Sequence, residues 1–323
     1  MALGIDSARS IAGALLVDKP AGPTSHDVVA FVRRALRVDR AGHTGTLDPL
    51  ATGLLIVLVG SATRLAQFLG ADEKEYVADV RLGVATDTYD AAGSRSDVRY
   101  PTADGRWPTD DEIEAVLATF RGSFLQTPPP YSAKKIASVP AYEKARKKQP
   151  VDLAPVEVTV RELVRISAID HRASVIGHGD ASLFRLRVAA SPGFYVRALA
   201  HDIGQALGCG AHLEALRRTR VGRFSVDDAL TLDRVESEGK AHLTSASDVI
   251  GQMPAVTVTE DGARRVAHGN PFGPPYTQRR DSSLFTSINA ADRFCRVLDG
   301  SGRLLAVAEQ RADGLLQPIV VLR

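Results

Sequence analysis

The clearest feature of the hydrophobic pattern is the unbroken apolar run Leu54–Val59. A short run of this kind predicts a strand that is buried on both faces. Elsewhere apolar and polar residues alternate, which is typical of strands with one buried face. The alternating segments are Tyr76–Leu82, Val156–Val160 and Phe184–Val188, and Leu15–Val17 predicts a further short strand.

Helical stripes are interleaved with these strands. Two of the predicted helices begin at a capping box, in which a threonine is followed three residues later by an acidic residue: Thr24 with Asp27, and Thr109 with Glu112. Ser191 and Pro192 predict the N-cap and first position of another helix, which runs to Leu207. Because strands and helices interleave without strict βαβ order, the pattern predicts an α+β fold with a mixed or antiparallel sheet.

The pattern changes after Asp248, where short strands dominate. The predicted strands are Ala255–Val258, Phe294–Leu298, Leu304–Ala308 and Ile319–Leu322. A helix over about residues 259–268 follows the first strand, and the segment 299–302 (Asp-Gly-Ser-Gly) predicts a hairpin turn. We therefore predict a large domain over residues 1–248 and a small β-barrel-like module over residues 249–323.

Composition restricts the class of protein. The chain of 323 residues is 44% hydrophobic and 24% charged, which is typical of a soluble globular protein. Its two cysteines, Cys209 and Cys295, are too few for a disulfide framework. No apolar run approaches the roughly 18 residues that span a bilayer, and residues 1–10 lack the pattern of a secretion signal. We predict a cytoplasmic protein.

Positive charge is concentrated in clusters although the net charge is only +2. Separated basic clusters on a balanced chain favour a polyanion that lies across one face. The alternative is an ordinary solvated lysine-rich helix, because charge runs carry little specificity. The first cluster contains Lys134, Lys135, Lys144, Arg146, Lys147 and Lys148, and the second contains Arg217, Arg218, Arg220 and Arg223.

One carboxylate lies in a loop with the composition of a functional site. Asp48 lies among glycine and small hydroxyl residues directly before the apolar strand, and Pro49 fixes the chain after it. Catalytic groups are often presented in this way, on a loop anchored to a rigid frame. The alternative is an Asp-Pro turn that only starts a core strand.

The segment His43-Thr44-Gly45-Thr46-Leu47-Asp48-Pro49 closely resembles the signature loop of the TruB family of pseudouridine synthases. Asp18–Asp27 is similar to the family's Lys-Pro-x-Gly-x-Thr-Ser-His motif. Further matching segments follow in the family's order: Glu73–Tyr76, Pro129–Ala133, Gly193–Arg197 and Ala211–Arg218. The resemblance implies an isomerase that converts uridine 55 in the TΨC loop of tRNA to pseudouridine. It also implies a pseudouridine synthase catalytic domain over residues 1–248 and an RNA-binding PUA domain over residues 249–323.

The resemblance implies roles for individual residues. Asp48 is expected to be the nucleophile, and Arg197 to form the ion pair that keeps it ionised although it is enclosed. Tyr76 is expected to stack on the flipped uracil and to remove its C5 proton. The further substrate contacts are expected to be His43, Tyr195 and Leu216.

The isomerisation needs no cofactor and no metal, and the sequence has no clustered Cys/His ligands and no nucleotide-binding motif. The expected partner is the TΨC stem-loop of tRNA, with no membrane and with nothing that demands more than a monomer. The basic segment 131–149 is expected to be mobile until it closes over the RNA, and Arg217 and Arg218 are expected to contact the RNA as well.

Two alternatives stay open at this point. One is an RNA-folding chaperone that binds and unfolds tRNA, either beside catalysis or in place of it. The other is a guide-RNA-dependent relative from the same superfamily. Modification of bare tRNA by the protein alone would exclude the second alternative.

Overall fold

The computed structural model describes residues 11–70, 72–97, 106–132, 134–136, 139–140, 145, 147, 149, 151, 153–167, 182–278 and 293–322. Three of the predicted RNA contacts, Lys144, Arg146 and Lys148, lie outside the described residues, as does the side chain of Lys135.

The strands of the described residues alternate with short helices up to residue 249. These strands are β1 (Gly13–Lys19), β2 (Ala41–His43), β3 (Thr52–Val59), β4 (Lys74–Leu82), β5 (Ala85–Thr86), β6 (Arg95–Asp97), β7 (Gly122–Gln126), β8 (Lys135–Ile136), β9 (Val139–Pro140), β10 (Val156–Arg165), β11 (Leu183–Ala190), β12 (Ala211–Val221), β13 (Phe224–Ser225), β14 (Leu230–Thr231) and β15 (Thr244–Ser245). The C-terminal strands are β16 (Ala255–Thr257), β17 (Phe294–Leu298), β18 (Leu304–Gln310) and β19 (Leu316–Val321).

The α-helices are α1 (Ser25–Leu36), α2 (Ala66–Leu69), α3 (Asp110–Thr119), α4 (Val196–Ala206), α5 (Leu232–Glu238), α6 (Ala246–Val249) and α7 (Glu260–Ala267). Short 3₁₀ helices cover Gly60–Leu65, Val226–Asp228 and Pro274–Tyr276. The predicted capping boxes are present at the start of α1 and α3. Among the described helices, none is long and apolar enough to cross a membrane.

One large mixed sheet organises the N-terminal part, in the order β14-β1-β3-β12-β4-β11-β10-β7. The pairs β1–β14 and β3–β12 are parallel, and the other neighbours in this order are antiparallel. The residues of Leu54–Val59 are all fully buried in β3. The structure therefore confirms the predicted mixed sheet and the strand that is buried on both faces.

The contact between β3 and β12 requires a glycine. Gly53 has φ +99° and is paired with Arg218 of β12. A Cβ at this position would lie 2.2 Å from the Arg218 carbonyl oxygen, so that only glycine fits the conformation and the approach. This close contact fixes the loop that precedes β3 beside β12.

The predicted start of α4 is wrong. The helix begins at Val196, whereas Ser191 continues the pairing of β11 with β10: its N–H donates to the Thr159 carbonyl, and its Oγ accepts from the Thr159 N–H. Gly193 then adopts φ +84° in a turn. Ser191 is therefore occupied by a tertiary contact and does not cap the helix.

The C-terminal strands form a four-stranded sheet in the order β16-β17-β18-β19. The predicted strands, the helix α7 and the hairpin between β17 and β18 are confirmed, whereas the PUA-like barrel and the domain boundary stay predictions. Leu304, Val307 and Val320 of this sheet share one apolar core with Leu54 and Ile56 of β3. The C-terminal sheet is therefore packed on the larger sheet.

Candidate active site

The loop between β2 and β3 carries Asp48 and is held by the Lys-Pro-x-Gly-x-Thr-Ser-His segment. Ser25 Oγ donates to the Leu47 carbonyl at 3.0 Å and accepts from the Leu47 N–H at 2.9 Å. The Gly22 N–H donates to the Pro49 carbonyl at 2.8 Å. The main chain on both sides of Asp48 is therefore fixed by hydrogen bonds from residues of one motif.

Lys19 of the same motif also binds the main chain of the loop. Its side chain is fully buried, and its ammonium donates to the carbonyls of Ala51 at 2.7 Å and of Pro49 at 3.3 Å. A buried ammonium is stabilised by such carbonyl acceptors and adds positive potential near Asp48. The sequence motif alone did not indicate this role of the lysine.

Arg197 faces Asp48 from the first turn of α4. Its Nε lies 2.8 Å from Asp48 Oδ2, and its Nη2 donates to Oδ1 at 3.3 Å. Arg197 is only 6% exposed, which is unusual for a charged side chain. Its remaining donors reach the carbonyls of Thr88 and Tyr131, each at 3.0 Å. The guanidinium is therefore held in one orientation by four acceptor atoms from three residues.

Burial raises the pKa of Asp48 above that of an ordinary aspartate, and the charge and hydrogen bond of Arg197 oppose this rise. Asp90 raises the pKa of Asp48 further, and Lys19 lowers it. The Asp48 side chain still has 36% of its surface accessible and lines a cavity. The carboxylate is therefore enclosed by protein on one side and open to a ligand on the other.

Asp90 is a site residue that the sequence analysis missed. Its buried carboxylate lies 3.6 Å from Arg197 Nη1, on the far side of the guanidinium from Asp48. Oδ1 of Asp90 accepts from Thr88 Oγ1 at 2.6 Å and from the Ala92 N–H at 3.1 Å. The one available signal was the turn-forming composition of Asp90-Ala-Ala-Gly93, which marks a turn without indicating a site.

The cavity beside Asp48 measures about 730 Å³. Its lining includes the predicted substrate contacts Tyr76, Tyr195 and Leu216. Tyr76 lies on β4, and Leu216 lies opposite Ala78 on the neighbouring β12. The main chain of Tyr195 is fixed by both polar atoms of the Gln126 amide. The structure therefore brings these three predicted residues together around Asp48.

His43 is not among the residues that line the cavity. It ends β2, is half-buried, and lies edge-on to His26 with ring centroids 6.0 Å apart. Burial lowers the pKa of His43, and His26 and Arg218 lower it further. A neutral imidazole at the start of the Asp48 loop is therefore expected at pH 7.

Arg218, which was predicted to contact RNA, does not lie at the outer surface of the protein. The side chain is 1% exposed and donates to the carbonyls of Leu54 at 2.7 Å and Gly45 at 3.1 Å. Burial lowers the pKa of Arg218, and the adjacent Tyr76 side chain opposes that shift. Leu216 and Arg218 point to the same face of β12 because alternate residues of a strand share a face. Arg218 therefore supports the Asp48 loop from inside.

The other described residues of the two basic clusters are partly or fully exposed. Arg217 points away from Arg218 and pairs with Asp18 at 2.8 Å, while 42% of its side chain stays exposed. Lys147 is exposed and Lys134 is half-buried. Within the described ranges, no group of three or more His, Cys, Asp or Glu side chains could hold a metal ion.

The large mixed sheet, with an aspartate loop whose carboxylate pairs with a buried arginine beside a cavity, belongs to a pseudouridine synthase. A crystal structure of the archaeal box H/ACA sRNP Nop10-Cbf5 complex matches the fold with a TM-score of 0.65 and 25% identity, over 96% of this chain and 86% of that one. A Cbf5-Nop10-Gar1 complex matches with a TM-score of 0.60 and 27% identity, over 92% and 78% of the two chains.

Sequence comparison then identifies the family. Residues 33–196 match the TruB family pseudouridylate synthase N-terminal domain, and residues 197–249 match the tRNA pseudouridylate synthase B C-terminal domain. The tRNA pseudouridine synthase B of Solibacter usitatus is 39% identical over 315 residues, which cover 96% of this chain and 99% of that protein. The protein of the same name from Opitutus terrae is 46% identical over 234 residues, or 72% and 90% of the two chains. The chain belongs to the TruB family.

Proposed function

We propose that this chain isomerises uridine 55 in the TΨC loop of tRNA to pseudouridine, with Asp48 as the nucleophile. The substrate is inferred from relatives that carry the name tRNA pseudouridine synthase B. The observation that carries the chemistry is the Asp48–Arg197 ion pair at the cavity, with Nε and Oδ2 2.8 Å apart. Arg197 favours the ionised carboxylate, which is the nucleophilic form, against the effect of burial.

The reaction exchanges one bond for another. The N1–C1′ bond of the uridine breaks, a C5–C1′ bond forms, C5 loses its proton and N1 gains one. The Asp48 carboxylate acts by forming a transient bond either to C1′ or to the base ring, and it leaves when the new bond is complete. Both routes balance without an external oxidant, reductant or co-reactant.

The cavity is suited to a base that has been turned out of the RNA. Enzymes that act on a base inside a folded nucleic acid extrude it and stack it on aromatic side chains. Tyr76 and Tyr195 offer such faces beside Asp48. Stacking of this kind contributes about 1–3 kcal/mol per base, which offsets part of the cost of extrusion.

Tyr76 is the proposed base that takes the C5 proton. Its side chain is the contact that opposes the effect of burial on Arg218. Tyr76 lines the same cavity as Asp48, so that its hydroxyl is available to a base bound there. Loss of the Tyr76 hydroxyl is therefore expected to slow the reaction after the nucleophilic step.

Backbone contacts to the tRNA are assigned to basic surface residues. Lys134, Lys147 and Arg217 are the described candidates, and Lys135, Lys144, Arg146 and Lys148 stay predictions. His43 is proposed to contact the RNA where the base leaves the stack. Release of counterions from the phosphates should make tRNA binding steeply dependent on salt.

The test uses the purified protein, unmodified tRNA transcript and no other macromolecule. Chemical mapping should show one new pseudouridine, at position 55, and a transcript with cytidine at that position should gain none. Pseudouridine at another position would overturn the assigned substrate. Absence of any pseudouridine would overturn the proposed activity of the protein alone on bare tRNA.

A guide-RNA-dependent enzyme is the second candidate, because the matching folds come from H/ACA complexes. The same assay separates the candidates, since a guide-dependent enzyme forms no pseudouridine in bare tRNA. The chaperone role also stays a prediction. It requires that Asp48→Asn protein still accelerates the folding of misfolded tRNA while it forms no pseudouridine.

A further inference from the structure

Arg197 is held by the turn Thr86–Asp90, which begins at the last residue of β5. The Thr88 carbonyl accepts from Arg197 Nη1 at 3.0 Å, and the Asp90 carboxylate lies 3.6 Å from the same nitrogen. Thr88 and Asp90 line the cavity, whereas Tyr89 between them does not. The position of this turn therefore sets where the guanidinium can point.

The Tyr89 side chain is stacked on α4, the helix that carries Arg197. Its ring lies on His201 with centroids 3.8 Å apart and an interplanar angle of 11°. His201 is one turn beyond Arg197 on the same face of the helix. The turn and the helix are thus joined twice, by the guanidinium bonds at Arg197 and by the ring stack at His201.

The backbone of Tyr89 adopts a conformation that side chains rarely adopt. Its φ is +65°, which a bulky residue adopts only when its surroundings hold it there. Main-chain bonds join the turn to Leu213 of β12: Leu213 N–H donates to the Tyr89 carbonyl at 3.0 Å, and Ala91 N–H donates to the Leu213 carbonyl at 2.9 Å. These bonds fix the turn to the sheet. They do not fix the distance between the turn and α4, which depends on side-chain contacts.

We infer that Tyr89 and His201 are positioning residues, whose stacked rings set the spacing between the Thr86–Asp90 turn and α4 and thereby hold Arg197 against Asp48. This inference rests on the proposed function, because it assigns catalytic importance to the geometry of that ion pair. The rings themselves touch neither Asp48 nor the cavity.

The stack is a contact between neutral rings. Burial lowers the pKa of His201 and raises the pKa of Tyr89. Asp202 is the charged group beside Tyr89 and raises its pKa further. His201 Nδ1 is buried and makes no hydrogen bond to another described residue. The face of the ring, rather than a polar bond, therefore locates the imidazole.

The first test replaces the histidine in two ways. His201→Phe keeps a flat ring that can stack, and His201→Leu removes it. Single-turnover pseudouridine formation on unmodified tRNA should fall about tenfold in His201→Leu, since a displacement of about 1 Å can cost about 100-fold. His201→Phe should keep at least about half of the wild-type rate, and the dissociation constant for tRNA should stay within about twofold in both. Equal rates for the two variants, or a change in tRNA affinity instead of rate, would overturn the inference.

The second test approaches from the turn. Tyr89→Asn removes the ring but tolerates the positive φ, so it keeps the backbone conformation, and Tyr89→Phe keeps the ring. Tyr89→Asn should slow the reaction about as much as His201→Leu, and the double variant should be no slower than either one, because both remove the same contact. Multiplied effects in the double variant would contradict a shared role. If His201→Leu unfolds, the Tyr89 pair still decides the outcome.

Failure of this inference is distinguishable from failure of the proposed function. An inactive wild-type protein would refute the function. An active wild-type protein whose Tyr89→Asn and His201→Leu variants react at the wild-type rate would refute the stack alone.

Discussion

Two regions of the molecule contain arginine–carboxylate pairs in different surroundings. In the cavity, Asp48 pairs with Arg197, whose side chain is 7% exposed. On the outer face of β4 and β11, Asp79 pairs with Arg185 at 2.6 Å, and the Arg185 side chain is 52% exposed. The distances are similar, but the surroundings are not. The outer pair is screened by water, and pairs of that kind contribute little to stability.

The difference lies in what surrounds each guanidinium. Arg197 also donates to two main-chain carbonyls and has Asp90 beside it, so its orientation is fixed before a substrate arrives. Fixed charges in a partly enclosed site act strongly on a reacting group and need no reorganisation. The reactive pair therefore differs from the outer pair in the groups that surround its guanidinium and not in its distance.

The largest expected effect is loss of the Asp48 carboxylate. Asp48→Asn should slow pseudouridine formation by roughly 10,000-fold or more, because an amide is not a nucleophile here. The matched change Asp79→Asn on the outer face should leave the rate within about twofold. Single-turnover assays on the same tRNA measure the rates of both variants. Comparable losses of rate would show that the carboxylate in the cavity has no special role in the reaction.

The next effect concerns the two arginines. Arg197→Met should slow the reaction by about 100-fold or more. It should also lower the free energy of unfolding by about 3 kcal/mol, because the enclosed carboxylates of Asp48 and Asp90 lose their positively charged partner. Arg185→Met should change stability by about 0.5 kcal/mol. Urea unfolding at pH 7 measures this difference. Equal losses of stability would show that burial does not separate the pairs.

Neighbouring arginines on β12 give a comparison within one strand. Arg218→Met should cost about 3 kcal/mol of stability, because the guanidinium bonds to the carbonyls of Leu54 and Gly45 are lost. Arg217→Met should cost about 1 kcal/mol of stability or less. It should also reduce the slope of the logarithm of tRNA affinity against the logarithm of salt concentration by about one. A change in the salt dependence of binding in Arg218→Met, with the larger loss of stability in Arg217→Met, would mean that Arg218 contacts the RNA.

The sequence predicts local features of this fold well and tertiary ones poorly. The capping boxes of α1 and α3 were predictable because their bonds join residues three positions apart. The start of α4 was not, because Ser191 bonds Thr159 on a strand far away in the sequence. For the site, the motif around Asp48 and the position of Arg197 were visible in the sequence.

Other parts of the site depend on strand pairing that periodicity did not predict. The strand β12 was not identified from its pattern, so Arg217 and Arg218 were assigned the same role although a strand sends them to opposite faces. Asp90 was missed for a related reason. Its importance arises from the contact of its turn with α4, which joins residues 90 and 197.

A smaller effect is expected at Asp202, a carboxylate on α4 whose burial raises its pKa from 3.8 to about 6. The folded protein therefore binds this proton more tightly than the unfolded chain does, and stability falls as the pH rises from about 4 to about 6. Asp202→Asn should stabilise the protein by about 1 kcal/mol at pH 8, because the group is partly solvated, and by nothing at about pH 3, which is below the unfolded pKa. Urea unfolding at both pH values checks this. Equal stabilisation at the two values would contradict the role of the charge.

If Arg197 keeps the enclosed Asp48 ionised, the acid limb of the pH–rate profile depends on the guanidinium. Single-turnover rates with saturating protein, with tRNA binding verified at each pH, should fall at low pH as Asp48 is protonated. In Arg197→Met the midpoint of this fall should move to higher pH, because the guanidinium lowers the pKa of Asp48. A midpoint that is unchanged or lower in Arg197→Met would contradict the account.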